Sequence, residues 1–414
     1  METPDQGGGR GSVSLRRALS LPLVVLYGLG VTIGAGIYVL IGATAGIAGL
    51  YAPVSFCLAA LVMAPTAASF AELSGRMPVS AGEAAYVRAG FNSRFMALVV
   101  GLMVVTAGAV SAAAVAIGAS GYIGVFASLP APIIITLVVL AMGAAAAWGI
   151  LESVSLAGVL TLIEIGGLLI IVWAGLGNDP SILLRAGELI PSTLDTASWS
   201  GIFAAGLLAF FAFIGFEDLV NIAEEAKDPV VTLPRAIFLT LTISTLIYVA
   251  VAGVAVLSVP LDGLAASTAP LGYVFETVTG ESPLFISAIA IVATLNGIIV
   301  QMIMASRVLY GLSSQGDLPA ALSRVNAVTR TPLLATALVV FIVLLLALAF
   351  PIEWLAEMTS RVTLTIFSLV NLALIMLKLR GEAPPEGAFT VRMWVPVAGL
   401  TLSLVLLLHD AVNL

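Results

Sequence analysis

The chain of 414 residues is 60% hydrophobic and only 9% charged, and its mean hydropathy is +1.16. A soluble domain carries about a quarter charged residues, so this composition excludes a soluble globular protein. The formal net charge of −7 comes largely from a few loops and gives no indication of nucleic acid binding.

Apolar segments long enough to cross a bilayer, which takes roughly 20 residues, recur along the whole chain. We predict eleven spans, at about 21–43, 50–72, 95–118, 131–149, 155–176, 198–219, 234–259, 283–312, 332–350, 354–378 and 393–411. Residues 1–20 form a polar tail before the first span. That span continues into the fold, so we expect it to be retained rather than cleaved as a signal peptide.

The basic residues predict the orientation of these spans, because positively charged loops stay in the cytoplasm. Nearly all loop lysines and arginines fall in one alternating set of loops: Arg10, Arg16, Arg17, Arg76, Arg88, Arg94, Lys227, Arg235, Arg307, Arg324, Arg330, Lys378, Arg380 and Arg392. The opposite loops contain only Arg185. We therefore expect a multi-pass protein of the plasma (inner) membrane with a cytoplasmic N-terminus and an external C-terminus.

Ten of the spans divide into two sets of five, over 21–176 and 198–378, and 379–414 adds a final span outside this core. The first set opens with "LYGLGVTIGAGIYVLIG" and the second with "GLLAFFAFIGFEDLVNIAEEAKDP". Each opening span is interrupted by glycine near its centre, although glycine costs a helix about 1 kcal/mol relative to alanine. Corresponding interrupted segments in two halves indicate an inverted-repeat transporter.

Two polar stretches, 74–94 and 313–332, are too hydrophilic to cross the membrane. We predict that both form short amphipathic helices on the cytoplasmic face.

The residue types needed for metal or disulfide chemistry are nearly absent. Cys57 is the only cysteine and His409 the only histidine, so an internal disulfide is impossible and a structural zinc site is not expected. The sequence also lacks a GxSxG motif and a nucleotide-binding loop. We expect neither an enzyme nor a bound cofactor.

Four motifs in order resemble the amino acid–polyamine–organocation (APC) superfamily, closest to its cationic-amino-acid-transporter-like branch. They are "TIGAGIYVLIG", "GRMPVSAGEAAYVR", "FFAFIGFEDLVNIAEEAKDPVVTLPRAI" and "SRVLYGLSSQGDLPAALSRVNAVTRTP". The resemblance implies an all-α LeuT-type fold with a 5+5 inverted repeat and broken helices 1 and 6. It also implies secondary active transport of an amino acid or amine. Relatives that pair with a glycoprotein do so through a cysteine before span four. This chain has none there, so no disulfide-linked partner subunit is expected.

The glycines of span one suit recognition of a carboxylate. A helix broken inside the membrane frees backbone N–H and C=O groups, which is tolerated where they line a cavity or meet a ligand. The positive N-terminal end of the outer half-helix would bind the substrate carboxylate beside Gly34, Ala35 and Gly36. Gly215 marks the second break. The alternative is that these small residues merely permit close helix packing.

The substrate ammonium would meet backbone carbonyls freed by the two breaks. The candidates are Thr32 and Ile33 in span one and Phe213 and Ile214 in span six. The resemblance implies the same assignment, and it implies that Phe211 closes over the ligand. An alternative for Phe211 is a core or lipid-facing position. We expect spans three, six, eight and ten to pack around the substrate side chain.

Charged residues inside the spans suggest coupling and gating, because a charge in the membrane is costly. Glu217 follows the second break and would orient the unwound backbone or couple binding to gate closure. Arg361 would form an i,i+4 pair with Glu357 or serve as an outer gate. Glu164 lies where proton-coupled relatives carry a lysine. It would carry a proton, bind a cation together with Asn296 and span-one carbonyls, or remain a hydrogen-bonded structural acid.

These features predict a permease that moves amino acids by alternating access, with proton symport as the first choice of coupling. Amino acid/amine exchange and sodium-coupled symport are the alternatives, and a transport-inactive sensor is a remote one. Spans three and eight contain no acidic residue that awaits a basic side chain, so we expect neutral amino acids.

Overall fold

The computed structural model describes residues 19–34, 36–78, 82–149, 154–192 and 195–412. Most of the predicted tail (1–18) and Ala35 of the predicted substrate site lie outside these ranges. Within them the chain is built from helices. The first seven are α1 Leu21–Ile33, α2 Gly36–Ala48, α3 Ala52–Arg76, α4 Gly82–Phe91, α5 Arg94–Gly124, α6 Ala131–Trp148 and α7 Val154–Asn178.

From residue 182 onward the described chain forms ten further α-helices. A 3₁₀ helix, Phe216–Ile222, lies between two of them. The α-helices are α8 Ile182–Arg185, α9 Thr196–Ala204, α10 Gly206–Phe211, α11 Pro229–Ser258, α12 Leu261–Ala266, α13 Pro270–Thr279, α14 Leu284–Ser314, α15 Leu333–Ala349, α16 Ile352–Leu379 and α17 Trp394–Val412. We call the side of the molecule on which α3 ends and α5 begins the α4 side, and the opposite side the α12 side.

Every predicted span coincides with one helix or with a group of two or three helices. By length and composition, eight helical segments in the described residues could cross a membrane, and Leu21–Ile33, Leu333–Ala349 and Trp394–His409 are shorter apolar helices. Span one is divided into α1 and α2, and span six into α9, α10 and the 3₁₀ helix. The two predicted interruptions are therefore present.

The two predicted surface helices turned out differently. In 74–94, α4 does form, but its Glu83, Tyr86 and Val87 are buried, so it packs into the protein instead of lying on its face. In 313–332 the predicted helix is wrong: α14 ends at Ser314 and only the 3₁₀ turn Ala320–Ser323 follows. Gly316, with φ +80°, and Pro319 stop the helix.

Two short helices that we did not predict, α12 and α13, lie between α11 and α14. Pro260 precedes α12, and Pro270 is the first residue of α13, a position that proline favours. They are too short for a span, which is why hydropathy alone did not reveal them.

A buried ion-pair network joins α3 to α16 on the α4 side. The fully buried Glu72 carboxylate pairs with Arg76 at 2.8 Å and with Lys378 at 2.7 Å. It also accepts a hydrogen bond from the Val391 N–H at 2.7 Å. Such a charge is tolerable in the interior because each of its oxygens has partners.

A second, uncharged contact joins the same two helices deeper in the bundle. The Asn371 amide donates to the Thr66 hydroxyl at 2.8 Å and accepts from the Ser69 hydroxyl at 2.7 Å. Together the two clusters hold α16 against α3.

Candidate functional site

The two interrupted helices touch each other at their breaks. α1 ends at Ile33 and α2 begins at Gly36, while α10 ends at Phe211 and the 3₁₀ helix begins at Phe216. A Cβ on Gly36 would lie 2.4 Å from the Ala212 Cα, and one on Gly215 would lie 2.9 Å from the Val31 backbone. Gly215 also has φ +127°, which disfavours any side chain. Close packing therefore requires glycine at both positions. This is the packing role that the sequence left open as the alternative to a ligand site.

The breaks free backbone groups, and side chains engage three of them. The Tyr248 hydroxyl lies 2.7 Å from the Thr32 carbonyl oxygen and 2.8 Å from that of Ala212, so its one hydrogen is shared. The Thr32 carbonyl, a predicted ammonium ligand, therefore has one lone pair already engaged. At the second break, the Glu217 Oε2 accepts a hydrogen bond from the Gly215 N–H at 2.8 Å.

The aromatic residues of span six face different neighbours. The Phe213 ring packs against Tyr248 with a centroid distance of 4.9 Å, and against Phe56 at 6.4 Å. Phe211 is buried in a core cluster that includes residues of α5 and α14. This packing agrees with the alternative that the sequence left open for Phe211, a position in the protein core.

Glu164 and Asn296 meet in the interior, as their joint assignment to coupling required. The Asn296 Nδ2 donates to the Glu164 Oε1 at 3.0 Å, and the Tyr38 hydroxyl donates to the Glu164 backbone oxygen at 2.6 Å. The Glu164 Oε2 and the Asn296 Oδ1 are buried and have no hydrogen-bond partner in the described chain. Both are acceptors, so a hydrogen-bond donor, a proton on Glu164 or a bound cation would satisfy them.

A cavity of about 20 Å³ lies on the α4 side of the second break. Residues of α4, α5, α14, α16 and span six line it: Glu83, Val104, Ala107, Gly108, Ile214, Glu217, Asp218, Gln301, Met304, Thr363, Ile366 and Phe367. Spans three, six, eight and ten, which we expected around a substrate side chain, therefore share one cavity.

The residue of α4 that lines this cavity is Glu83. Its side chain is buried beside Asp218. Burial, reinforced by the Asp218 carboxylate, raises the pKa of Glu83 to about 8. At neutral pH this carboxyl group therefore holds its proton for most of the time.

Comparison with known proteins agrees with this architecture. The profile of the amino acid permease family matches residues 19–413. Over 398 residues the chain is 28% identical to the branched-chain amino acid permease of Bacillus subtilis, covering 91% of this chain and 84% of that protein. It is 29% identical over 395 residues to the vacuolar cationic amino acid transporter 2 of Arabidopsis thaliana, covering 90% of this chain and 61% of the plant protein. An uncharacterised transporter of Mycobacterium tuberculosis is 31% identical over 390 residues, with coverages of 93% and 84%.

This chain belongs to the amino acid permease family. The match confirms the resemblance to APC transporters that the motifs indicated. The permease is a multi-pass integral membrane protein, and its relatives are named as permeases and transporters, not as enzymes.

Sequence reasoning missed several residues of the candidate site. Tyr38 and Tyr248 are fully buried, and Gln301 and Thr363 line the cavity. A tyrosine in the middle of an apolar span is a usable signal, because its hydroxyl group needs a partner. Gln301 and Thr363 are polar residues inside spans eight and ten, and that was a second signal.

The predicted i,i+4 ion pair of the permease is present in α16. The Arg361 Nη2 lies 3.2 Å from the Glu357 Oε2, and both side chains are partly exposed. The gating role of Arg361 stays a prediction.

A second, larger cavity of about 570 Å³ lies on the α12 side of the permease. It is lined by residues of α2, α5, α6 and α16 and by the end of α12, and among them only Glu353 is ionisable. The two cavities lie toward opposite sides of the bundle.

Proposed function

We propose that this permease is a secondary active transporter that moves amino acids by alternating access and couples their movement to protons. The observation that carries the proposal is the contact between two interrupted helices, Gly36 against Ala212 and Gly215 against Val31. Lipid-exposed irregular backbone is not tolerated in a membrane, so breaks at matching places in two halves favour a ligand site between them.

The breaks offer complementary groups for an α-amino acid. The N-terminus of α2 at Gly36, preceded by Gly34 and Ala35, suits the carboxylate because its N–H groups carry partial positive charge. The carbonyls of Ile33, Phe213 and Ile214, together with the second lone pair of Thr32, suit the ammonium. Relatives named for branched-chain and cationic amino acids support this substrate class.

Coupling is assigned to Glu164 with Asn296. A proton on the free Glu164 oxygen would neutralise a carboxylate that is completely buried. Sodium bound between this oxygen and the Asn296 Oδ1 is the alternative mechanism, and amino acid exchange without net ion movement is another.

We propose that spans one, two, six and seven rock against spans three, four, eight and nine. Glu217 holds the second break at Gly215, so it would transmit closure around the substrate to the 3₁₀ helix. Phe211 and Arg361 are the further gating candidates. The repeats would cover 21–176 and 198–378, with 379–414 outside them.

Uptake into proteoliposomes tests the proposed function. With an imposed pH gradient and no sodium, we expect the purified protein to accumulate at least one labelled common amino acid above its external concentration. A requirement for sodium would instead establish sodium coupling. Uptake only with a preloaded internal substrate would establish exchange. Failure to transport or bind any amino acid would contradict the proposal.

The proposed orientation, in the plasma membrane with a cytoplasmic N-terminus, makes a separate prediction. A reporter inserted within 315–331 should be cytoplasmic, and one fused after Leu414 should be external. Three predicted spans lie between the two positions, so they fall on opposite sides of the membrane. Protease protection and a periplasmic-activity reporter measure both positions. Two reporters on the same side would contradict the eleven-span topology.

A further inference from the structure

We propose that Gln301 and Thr363 recognise the side chain of the transported amino acid, and that this side chain is small and carries a hydroxyl group, as in serine and threonine. The inference rests on the proposed function and names the substrate of the same site.

The first argument is hydrogen bonding. The Gln301 and Thr363 side chains are 8% and 3% exposed and line the cavity on the α4 side of the second break. No side-chain hydrogen bond joins either residue to the described part of the chain, and neither is among its completely buried unpaired polar groups, so both polar groups face the cavity. Buried polar groups are nearly always paired, so a carboxamide and a hydroxyl that share a cavity favour a hydrogen-bonding ligand group. A hydroxyl can donate to one and accept from the other.

The second argument is size. A water molecule needs about 10–15 Å³ of such space, and the cavity has about 20 Å³. Its wall at Gly108 is close, since a Cβ there would lie 3.0 Å from the Met304 Cε and 3.2 Å from the Gln301 Oε1. One hydroxyl-sized group therefore fits beside Gln301 and Thr363 in this conformation. Val104 and Ile366 add apolar wall that suits the methyl group of threonine.

The third argument is charge. Glu217 and Asp218 line the same cavity, but each already accepts a hydrogen bond, from the Gly215 N–H at 2.8 Å and from the Asn221 amide at 3.4 Å. Glu83, with its pKa raised to about 8, is mostly neutral at pH 7. Glu83 therefore adds little negative charge to the cavity, and the remaining lone pairs of Glu217 and Asp218 can accept a hydrogen bond from a substrate hydroxyl group.

The position of the cavity connects it to the α-amino and α-carboxyl groups. Ile214 belongs to the second break and also lines the cavity. A substrate held at the breaks by its backbone groups would therefore direct its side chain between spans three, eight and ten.

The test is competition between threonine and valine, which have nearly the same shape but differ by one hydroxyl group. Purified protein in proteoliposomes takes up a labelled amino acid that it transports, and unlabelled L-threonine or L-valine is added as competitor. We expect threonine to compete at least about tenfold better, because valine leaves buried polar groups unpaired.

Two substitutions assign the preference to named residues. Gln301→Leu and Thr363→Val should each lower the threonine-to-valine ratio several-fold. Gln315→Leu is the matched control, because it makes the same chemical change as Gln301→Leu at an exposed position outside the cavity and should preserve the ratio. Monodisperse elution of each variant shows that it is folded, and either polar variant alone suffices for the test.

The outcomes separate this inference from the proposed function. A wild-type ratio of one or below, or a ratio that neither polar substitution lowers, would overturn the assignment while transport itself still stands. Uptake confined to large or cationic amino acids would overturn it as well. Only a protein that neither transports nor binds any amino acid would overturn the proposed function.

Discussion

Glu164→Gln is expected to abolish the accumulation of substrate driven by a pH gradient while leaving substrate exchange intact. Glutamine imitates the protonated acid, so binding to the transporter can survive although no proton is released. The Asn296 amide, which donates to Glu164 at 3.0 Å, can still donate to the new carbonyl oxygen. The loss should be close to complete, because the other residues that contact this carboxyl group cannot exchange a proton near neutral pH.

The measurement is uptake by proteoliposomes with an imposed pH gradient, with and without sodium, followed by counterflow with preloaded substrate. Glu281→Gln is the matched control, since it makes the same chemical change at an exposed position between α13 and α14. If Glu164→Gln still accumulates substrate against its gradient, the residue is structural. If wild-type uptake ignores pH and needs sodium, Glu164 is a cation ligand.

Gly215→Ala is expected to abolish transport and to lower thermal stability by several degrees. The backbone at φ +127° disfavours an L-residue, at a cost of roughly 1–2 kcal/mol. The added Cβ would also lie 2.9 Å from the backbone carbon and oxygen of Val31, which belong to the other broken helix. Relief of that overlap would separate the two breaks and displace the Gly215 N–H from Glu217.

Transport assays and thermal unfolding of the purified variant measure the two effects. Gly311→Ala is the matched control, because an added Cβ there meets nothing within 4 Å and alanine favours the helix. Normal transport by a stable Gly215→Ala protein would show that contact between the breaks is unnecessary.

A large side chain at Gly36 is expected to have two effects on the breaks. Its Cβ would lie 2.4 Å from the Ala212 Cα, so Gly36→Leu would force the broken helices apart as well as fill the carboxylate site.

The sequence by itself determined the membrane class, the helices that correspond to the eleven predicted spans and the places where two of them are broken. Each of these follows from composition within a window of about 20 residues, so no distant contact is needed to predict it. The breaks were visible because glycine is unfavourable in a helix, and a cluster of such residues in an apolar span needs a reason. The Glu164–Asn296 pair, 132 residues apart, was anticipated through the family resemblance, since spacing alone cannot place two helices side by side.

Only the tertiary structure decided what lies around the breaks. Hydropathy does not distinguish a helix that covers a surface from one that enters the core, so the burial of α4 and its Glu83 was not predicted. Tyr248 reaches both broken helices, and Gln301 and Thr363 meet at one cavity, because four or more helices converge there. Convergence depends on packing between residues far apart in the chain, and a local pattern contains no information about which side chain fills which space.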